Sequence, residues 1–140
     1  TPYIRTEEVG KMASLTAAIP AVRAALLDLQ RDMARTSSIL MDGRDIGTNV
    51  LPDASLKIYL TASSAVRAKR RYDELQAKGV DCDLAQIERD IIERDRQDMN
   101  REIAPLKKAE DAVLLDSSDM SVEEVVDAVI AEYNKIILPE

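Results

Sequence analysis

The stretch that decides the fold is ILMDGRDIGT, residues 39–48. Its apolar start predicts a buried strand over 38–42, with the Asp42 carboxylate emerging at the C-terminal edge of a sheet, where it can help to organise a Mg²⁺. The planar guanidinium of Arg44 can donate two parallel hydrogen bonds to a phosphate, and the Asp45 carboxylate can accept hydrogen bonds from an amino group. These residues therefore indicate a site that holds a nucleotide by both ends, although an ordinary strand-to-turn junction with surface charges explains them equally well.

Composition places the chain among ordinary globular proteins. With 140 residues, 46% apolar and 32% charged, it is long enough for one domain with a core. The net charge of −7 argues against binding along a nucleic-acid backbone. Local arginine clusters in such an acidic chain suit a small anionic ligand, whereas each arginine taken alone is better explained by a solvated helix face. The clusters are Arg67, Arg70, Arg71 and Arg94, Arg96, Arg101.

Several residue types and segments are missing from the sequence. A single cysteine, Cys82, excludes an intrachain disulfide, and the lack of histidine removes Ser-His and Cys-His catalysis and most zinc sites. No apolar run approaches the roughly 20 residues of a membrane span, and no signal-peptide pattern opens the chain. We therefore expect a cytoplasmic protein without a membrane partner.

Caps, breakers and apolar spacing predict the element order α-α-β-β-α-α-β-α. Pro20 suits the first position of a helix, Gly79 suits a helix stop, and capping boxes begin at Asp83 and Ser121. Nearly continuous apolar strands that alternate with helices favour an α/β fold, a parallel sheet covered by helices on both faces. Helices are predicted over about 6–18, 20–35, 65–78 and 83–100 and from 121, and strands over 38–42, 56–60 and 112–116.

A second charged pattern lies in the predicted helix over 83–100. Arg94 and Arg101 are seven residues apart, so they share a face if the helix continues that far, and Asp98 lies between them. A salt-bridge lattice on a solvated helix is the simpler explanation for this spacing.

Taken together, these segments make the chain similar to bacterial cytidylate kinases, a family of nucleoside monophosphate kinases. DGRDIGT and RDRQDMNR, in this order and spacing, carry most of the specificity. The resemblance extends over essentially the whole chain. The matching segments are 4–14, 18–31, 41–63, 70–79, 93–118 and 120–126.

The resemblance implies a phosphotransferase with the P-loop nucleoside monophosphate kinase fold. Its substrates would be ATP, with Mg²⁺, and CMP or dCMP, giving CDP or dCDP. It also implies a monomer with no tightly bound cofactor and no nucleic-acid polymer as partner.

The resemblance also implies roles for individual residues. Asp45 and Arg23 would read the cytosine, and Ser14, Arg94 and Asp98 would hold the ribose. Residues at the reacting phosphates would be Arg44 and Arg101, which approach the CMP phosphate, and Asp42, which stands behind the Mg²⁺. Lid candidates are Arg67, Arg70 and Arg71.

The resemblance further implies two regions. Residues 1–35 would be the end of the CMP-binding insertion and the following core helix, and 36–140 the remainder of the kinase core, with the lid near 66–100. The sequence departs from the family pattern because it contains no GxxxxGK[ST] phosphate loop. We therefore expect a C-terminal portion of such a kinase, inactive on its own.

Other functions fit parts of the sequence. A nonenzymatic CMP-binding fragment would keep the acceptor pocket without turnover, and a UMP/CMP kinase would have related specificity. Asp45 argues for an amino-bearing pyrimidine, because uracil places a carbonyl where cytosine has its amino group.

Overall fold

A computed structural model describes residues 4, 6–17 and 19–137 of the chain. Its internal contacts separate two units, Thr1–Gly43 and Arg44–Glu140.

The first unit contains two helices, α1 (Glu7–Ala17) and α2 (Pro20–Thr36). The Thr6 hydroxyl accepts a hydrogen bond from the Val9 main-chain N–H at 3.3 Å and so caps the start of α1. Among the described residues, no single helix is both long and apolar enough to cross a membrane. Residues 8–17 and 20–36 meet a criterion of length and composition only as a pair bent by 94°.

The predicted strand over 38–42 is wrong. The segment is irregular, and the Leu40 side chain is 91% exposed. A strand is held by ladder hydrogen bonds to a neighbouring strand, and no described residue pairs with this segment. The apolar run over 38–42 therefore led to the prediction of a buried strand. Among residues 4, 6–17 and 19–137, however, no neighbouring strand pairs with it.

The second unit alternates strands and helices in the predicted order, with one element that was not predicted. A π-helical turn, Ile46–Val50, replaces what the sequence indicates as loop. The other elements are β1 (Ile58–Thr61), α3 (Ser64–Ala77), α4 (Leu84–Asn100), β2 (Val113–Asp116) and α5 (Val122–Ile137).

Helix ends in this unit follow the predicted signals. Gly79 adopts φ +70° after α3, the left-handed conformation that glycine reaches without strain. The Asp83 carboxylate caps α4 by accepting two main-chain N–H bonds. Ser121 and Glu124 form the reciprocal capping box of α5. The Ser121 N–H donates to the Glu124 carboxylate at 2.7 Å, and the Glu124 N–H donates to the Ser121 hydroxyl at 3.2 Å.

The sheet of the described residues has two parallel strands. Register runs from Ile58 opposite Val113 to Thr61 opposite Asp116. Leu60 and Leu114 lie on opposite faces and are 56% and 59% exposed. The parallel pairing is confirmed, and coverage of both faces by helices stays a prediction.

Helices α3 and α4 pack against each other through small and charged residues. Ala68 of α3 is fully buried. Arg67 donates two hydrogen bonds to the Asp95 carboxylate of α4, at 3.0 and 2.5 Å, and its Nε donates to the Ala62 carbonyl at 3.0 Å. The Asp95 hydrogen bond raises the pKa of Arg67, against the lowering effect of burial. This bidentate pair therefore ties the predicted lid region, 66–100, into one helical hairpin.

Candidate functional site

The π-helical turn positions Asp45. Its main-chain carbonyl accepts hydrogen bonds from the N–H groups of Asn49 at 2.9 Å and Val50 at 3.3 Å. The Asn49 side-chain amide donates to Asp45 Oδ2 at 3.2 Å. The residue is 8% exposed, so its carboxylate is held from several sides with little access to water. Single π-helical turns occur frequently at functional sites.

The C-terminal end of α4 positions Asp98 and Arg101. Asp98, in the last turn, is 5% exposed, and its carbonyl accepts from the Leu106 N–H at 2.8 Å. The predicted helix end near residue 100 is confirmed, because α4 ends at Asn100. The condition for a shared face is therefore not met, since Arg101 has extended backbone angles, φ −63° and ψ 142°. The Arg101 Nε instead donates to the carbonyl of Ala104 at 2.5 Å.

These two segments meet in one arginine–aspartate cluster, formed by Arg44, Asp45, Asp98 and Arg101. Arg44 Nε donates to Asp98 Oδ2 at 2.9 Å. Arg101 lies between the two carboxylates, with Nη1 4.0 Å from Asp98 Oδ1 and Nη2 3.7 Å from Asp45 Oδ1. Two positive and two negative groups alternate, so the cluster is neutral as a whole while each guanidinium has an anionic neighbour.

A buried side-chain nitrogen of the cluster lacks a hydrogen bond within the described part of the chain. Arg101 Nη2 is buried and has no hydrogen-bond partner among the described residues, since 3.7 Å to Asp45 is an ion-pair distance beyond hydrogen-bond range. A buried donor left unsatisfied costs free energy, and the cost is larger for a charged group. Nearby lies an open pocket of about 510 Å³ lined by Arg96, Gln97, Asn100 and Arg101. The arrangement can accept an anionic oxygen at this guanidinium.

Other predicted arginines of this unit lie outside the cluster. Arg94 is exposed on α4, and its side chain forms no hydrogen bond or ion pair within the described part of the chain. The lid candidates have protein partners. Arg67 is paired with Asp95, Arg70 donates to the Ser117 carbonyl at 2.6 Å, and Arg71 is paired with Glu74 at 2.9 Å. A lid role for any of the three would require these contacts to be exchanged for a ligand.

Three further predicted residues belong to the unit Thr1–Gly43. Asp42 is exposed in the segment after α2, and Arg23 is half-buried on α2. Ser14 lies in α1, and its side chain is outside the described part of the structure. Their roles stay predictions.

Sequence reasoning missed two residues that shape the cluster. Asn49 holds the Asp45 carboxylate, and Ala104, with φ +48°, presents the carbonyl that orients Arg101. The Asn49 contact depends on a π-helical turn, which the spacing of apolar residues in the sequence does not predict. The Pro after Ala104 signalled an irregular backbone, but not its left-handed conformation.

The described residues contain no group of three or more His, Cys, Asp or Glu side chains that could hold a metal ion. Mg²⁺ does not require such a group, because it is commonly held by one or two carboxylates together with substrate phosphates and water. A single carboxylate such as Asp42, exposed on its segment, is compatible with that mode of binding.

The parallel strands and the arginine–aspartate cluster together define an α/β protein in which two guanidinium groups are held beside two carboxylates. Comparison with known proteins identifies the family within this class. The family model described as "Cytidylate kinase" matches residues 1–135.

Relatives from several bacteria share this similarity. A Methylococcus capsulatus protein named "Cytidylate kinase" is 57% identical over 123 residues, which cover 88% of this chain and 55% of the relative. A Pseudomonas paraeruginosa protein of the same name is 55% identical over 93% of this chain and 57% of its own length. A Desulfitobacterium hafniense protein, again of that name, is 49% identical over 96% of this chain and 58% of its own length.

The chain belongs to the cytidylate kinase family. It spans somewhat more than half the length of these curated relatives.

Proposed function

We propose that this chain provides the acceptor-nucleotide half of a kinase that transfers the γ-phosphoryl group of ATP to CMP or dCMP. The single observation that carries the proposal is the arginine–aspartate cluster with its unsatisfied Arg101 Nη2. Family membership supplies the substrate class, since the relatives bear the name "Cytidylate kinase".

Two arginines of the cluster would bind the CMP phosphate. The Arg101 side chain is 24% exposed and lines the pocket, and the side chain of Arg44 is 47% exposed, so both guanidinium groups are accessible to an incoming anion. Their aspartate neighbours keep the guanidinium groups in place before the ligand arrives. A planar guanidinium binds phosphate oxygens through paired N–H donors, which explains the choice of arginine over lysine.

Asp45 would select the base. Cytosine carries an exocyclic amino donor that an ionised carboxylate can accept, whereas uracil presents a carbonyl that the carboxylate repels. Arg23 would meet the cytosine acceptors, and Ser14, Arg94 and Asp98 the ribose. These assignments follow from the family resemblance at matching positions.

The transfer itself needs no covalent intermediate. An oxygen of the CMP phosphate attacks the γ-phosphorus of ATP in line, the bond to the β-phosphate oxygen breaks, and ADP leaves. Mg²⁺, with Asp42 behind it, would neutralise charge on the transferring group. Arg44 and Arg101 would position the acceptor phosphate and stabilise charge, which are the main contributions of a protein to this chemistry.

We propose the remaining architecture on the same basis. Residues 1–35 would be the end of the CMP-binding insertion with the following core helix, and 36–140 the rest of a P-loop kinase core whose sheet is covered on both faces. The region 66–100 would form the lid, with Arg67, Arg70 or Arg71 released from a protein partner on closure. The protein would be monomeric and cytoplasmic.

Calorimetry on the 140-residue chain tests the acceptor site. We expect CMP to bind more tightly than UMP and AMP. Equal affinities for the three nucleotides would contradict the proposal.

A phosphoryl-transfer assay tests whether the 140-residue chain can phosphorylate CMP by itself. We expect the 140-residue chain alone not to turn over CMP, because its sequence contains no glycine-rich cradle for the ATP phosphates. A chimera that adds the part of the Methylococcus capsulatus relative outside the matched residues should be active. Turnover of CMP by the 140-residue chain at a rate comparable with the chimera would refute this expectation.

A further inference from the structure

Asp45 is held by a neighbour that has no role in the function proposed above. The Asn49 side chain donates its amide to Asp45 Oδ2 at 3.2 Å, and the Asn49 main-chain N–H donates to the Asp45 carbonyl at 2.9 Å. One residue thus fixes both the backbone and the carboxylate of Asp45. We propose that Asn49 is a positioning residue that sets the preference for cytosine over uracil by orienting the Asp45 carboxylate, an inference that rests on the proposed function.

The two oxygens of the Asp45 carboxylate have different neighbours. Oδ2 faces the neutral amide of Asn49, while Oδ1 faces Arg101 Nη2 at 3.7 Å. A carboxylate can rotate about its bond to Cβ with little resistance, because that torsion is broad. The Asn49 hydrogen bond restricts this rotation and so fixes the plane in which the carboxylate accepts.

The chemistry of base selection depends on that plane. An amino hydrogen of cytosine must meet an oxygen lone pair within the plane of the base, because hydrogen bonds weaken steeply away from the favoured direction. Uracil, with a carbonyl at the same position, is rejected only if the carboxylate oxygen cannot turn away from it. A mobile carboxylate therefore loses affinity for cytosine and loses part of its repulsion of uracil.

Asn49 also keeps Asp45 and Arg101 apart. Loss of the amide would remove one restraint on rotation of the carboxylate toward the guanidinium, which lies 3.7 Å away, and rotation in that direction favours a direct hydrogen bond between the two groups. That pair would engage both the base-reading carboxylate and the phosphate-binding nitrogen. A neutral donor such as Asn prevents this without adding a charge to the cluster.

The neighbouring Thr48 offers a matched control. Its hydroxyl donates at 3.4 Å to the Asp45 main-chain carbonyl, and it lies in the same π-helical turn. Thr48→Ala therefore perturbs the turn to a similar extent as Asn49→Ala, but it leaves the hydrogen bond to the Asp45 carboxylate intact.

Calorimetry with CMP and UMP on wild type, Asn49→Ala and Thr48→Ala tests the inference. We expect Asn49→Ala to lower the ratio of CMP to UMP affinity by about fivefold, the scale of the net contribution of one typical hydrogen bond. Thr48→Ala should keep the ratio within about twofold of wild type by the same reasoning. Asn49→Leu, which keeps a branched side chain without a donor, should reproduce the effect of Asn49→Ala, and thermal melts check that each variant is folded.

The outcomes separate this inference from the proposed function. A wild-type chain that binds CMP no better than UMP would overturn both. A wild-type preference for CMP that survives in a folded Asn49→Ala or Asn49→Leu variant would overturn the role of Asn49 alone. An equal loss in Asn49→Ala and Thr48→Ala would also overturn it, because the turn as a whole and not the carboxylate contact would then set the preference.

Discussion

Replacing Arg101 with methionine tests whether the unsatisfied guanidinium binds phosphate. Methionine keeps most of the apolar stem and removes the donors. A singly charged pair about 4 Å apart contributes roughly 4 kcal/mol at an effective dielectric constant of 20. The Arg101 side chain is 24% exposed, so solvent screening reduces this to about 2–3 kcal/mol. We therefore expect CMP to bind about 30–150-fold more weakly, since each 1.4 kcal/mol corresponds to about a tenfold change.

The assay compares CMP with cytidine, which has the same base and ribose and no phosphate. Cytidine affinity should change less than about threefold in Arg101→Met, because base and ribose contacts are proposed for other residues. Arg89→Met is the matched control, since Arg89 lies on α4, the helix that ends just before Arg101, with its side chain 61% exposed, and it should leave both affinities unchanged. An equal loss of CMP and cytidine affinity in Arg101→Met would refute a phosphate contact and indicate that Arg101 acts by supporting Asp45 or the fold.

Three further substitutions test other parts of the structure. Asp45→Asn should lower the CMP-to-UMP affinity ratio by about tenfold or more, because the new amide can donate to the uracil carbonyl; calorimetry would measure it. Hydrogen bonds from the Ser121 main chain and hydroxyl lower the pKa of Glu124 below its ordinary value near 4.5. The resulting stabilisation of α5 should be complete above that value and vanish as the pH falls through the lowered folded pKa, and Glu124→Gln should remove this part of the pH dependence in thermal melts. Ala104→Gly should raise the free energy of unfolding by up to about 1 kcal/mol in denaturant titrations, because the φ of +48° disfavours residues with a side chain.

Each of these predictions has an outcome that contradicts it. An unchanged CMP-to-UMP ratio in Asp45→Asn would show that this carboxylate does not contact the base. The same acid sensitivity in wild type and Glu124→Gln would assign it to other carboxyl groups. A less stable Ala104→Gly variant would mean that the entropy glycine adds to the unfolded chain exceeds the strain it relieves.

Helix boundaries were accessible from the sequence because their causes are local. The Ser121–Glu124 capping box and the Gly79 stop each involve residues three or four apart, and the structure contains both. The capping box proposed at Asp83 is half correct. Asp83 caps α4, but the Gln86 side chain donates to Asp90 instead of returning to the helix start.

Structural features that depend on contacts between residues far apart in the sequence could not be predicted from local sequence signals. The run over 38–42 has the composition of a buried strand, yet a strand exists only where a second segment pairs with it. The meeting of Arg44 with Asp98 joins residues 54 positions apart, and it came into the prediction through the family resemblance. The spacing of Arg94, Asp98 and Arg101 suggested a common helix face, but the helix ends one residue too early for Arg101.

The bidentate contact between Arg67 and Asp95 has a mechanical consequence. Together with the Ser64–Glu88 hydrogen bond of 2.9 Å, it fixes the first turn of α3 against α4, so the two helices form one stiff lever at that end. We expect any swing of this lever to be absorbed at its two roots, just before Ser64 and just after Asn100. Since Arg101 is the first residue beyond the second root, rotation of the lever would be transmitted directly to the direction in which that guanidinium points.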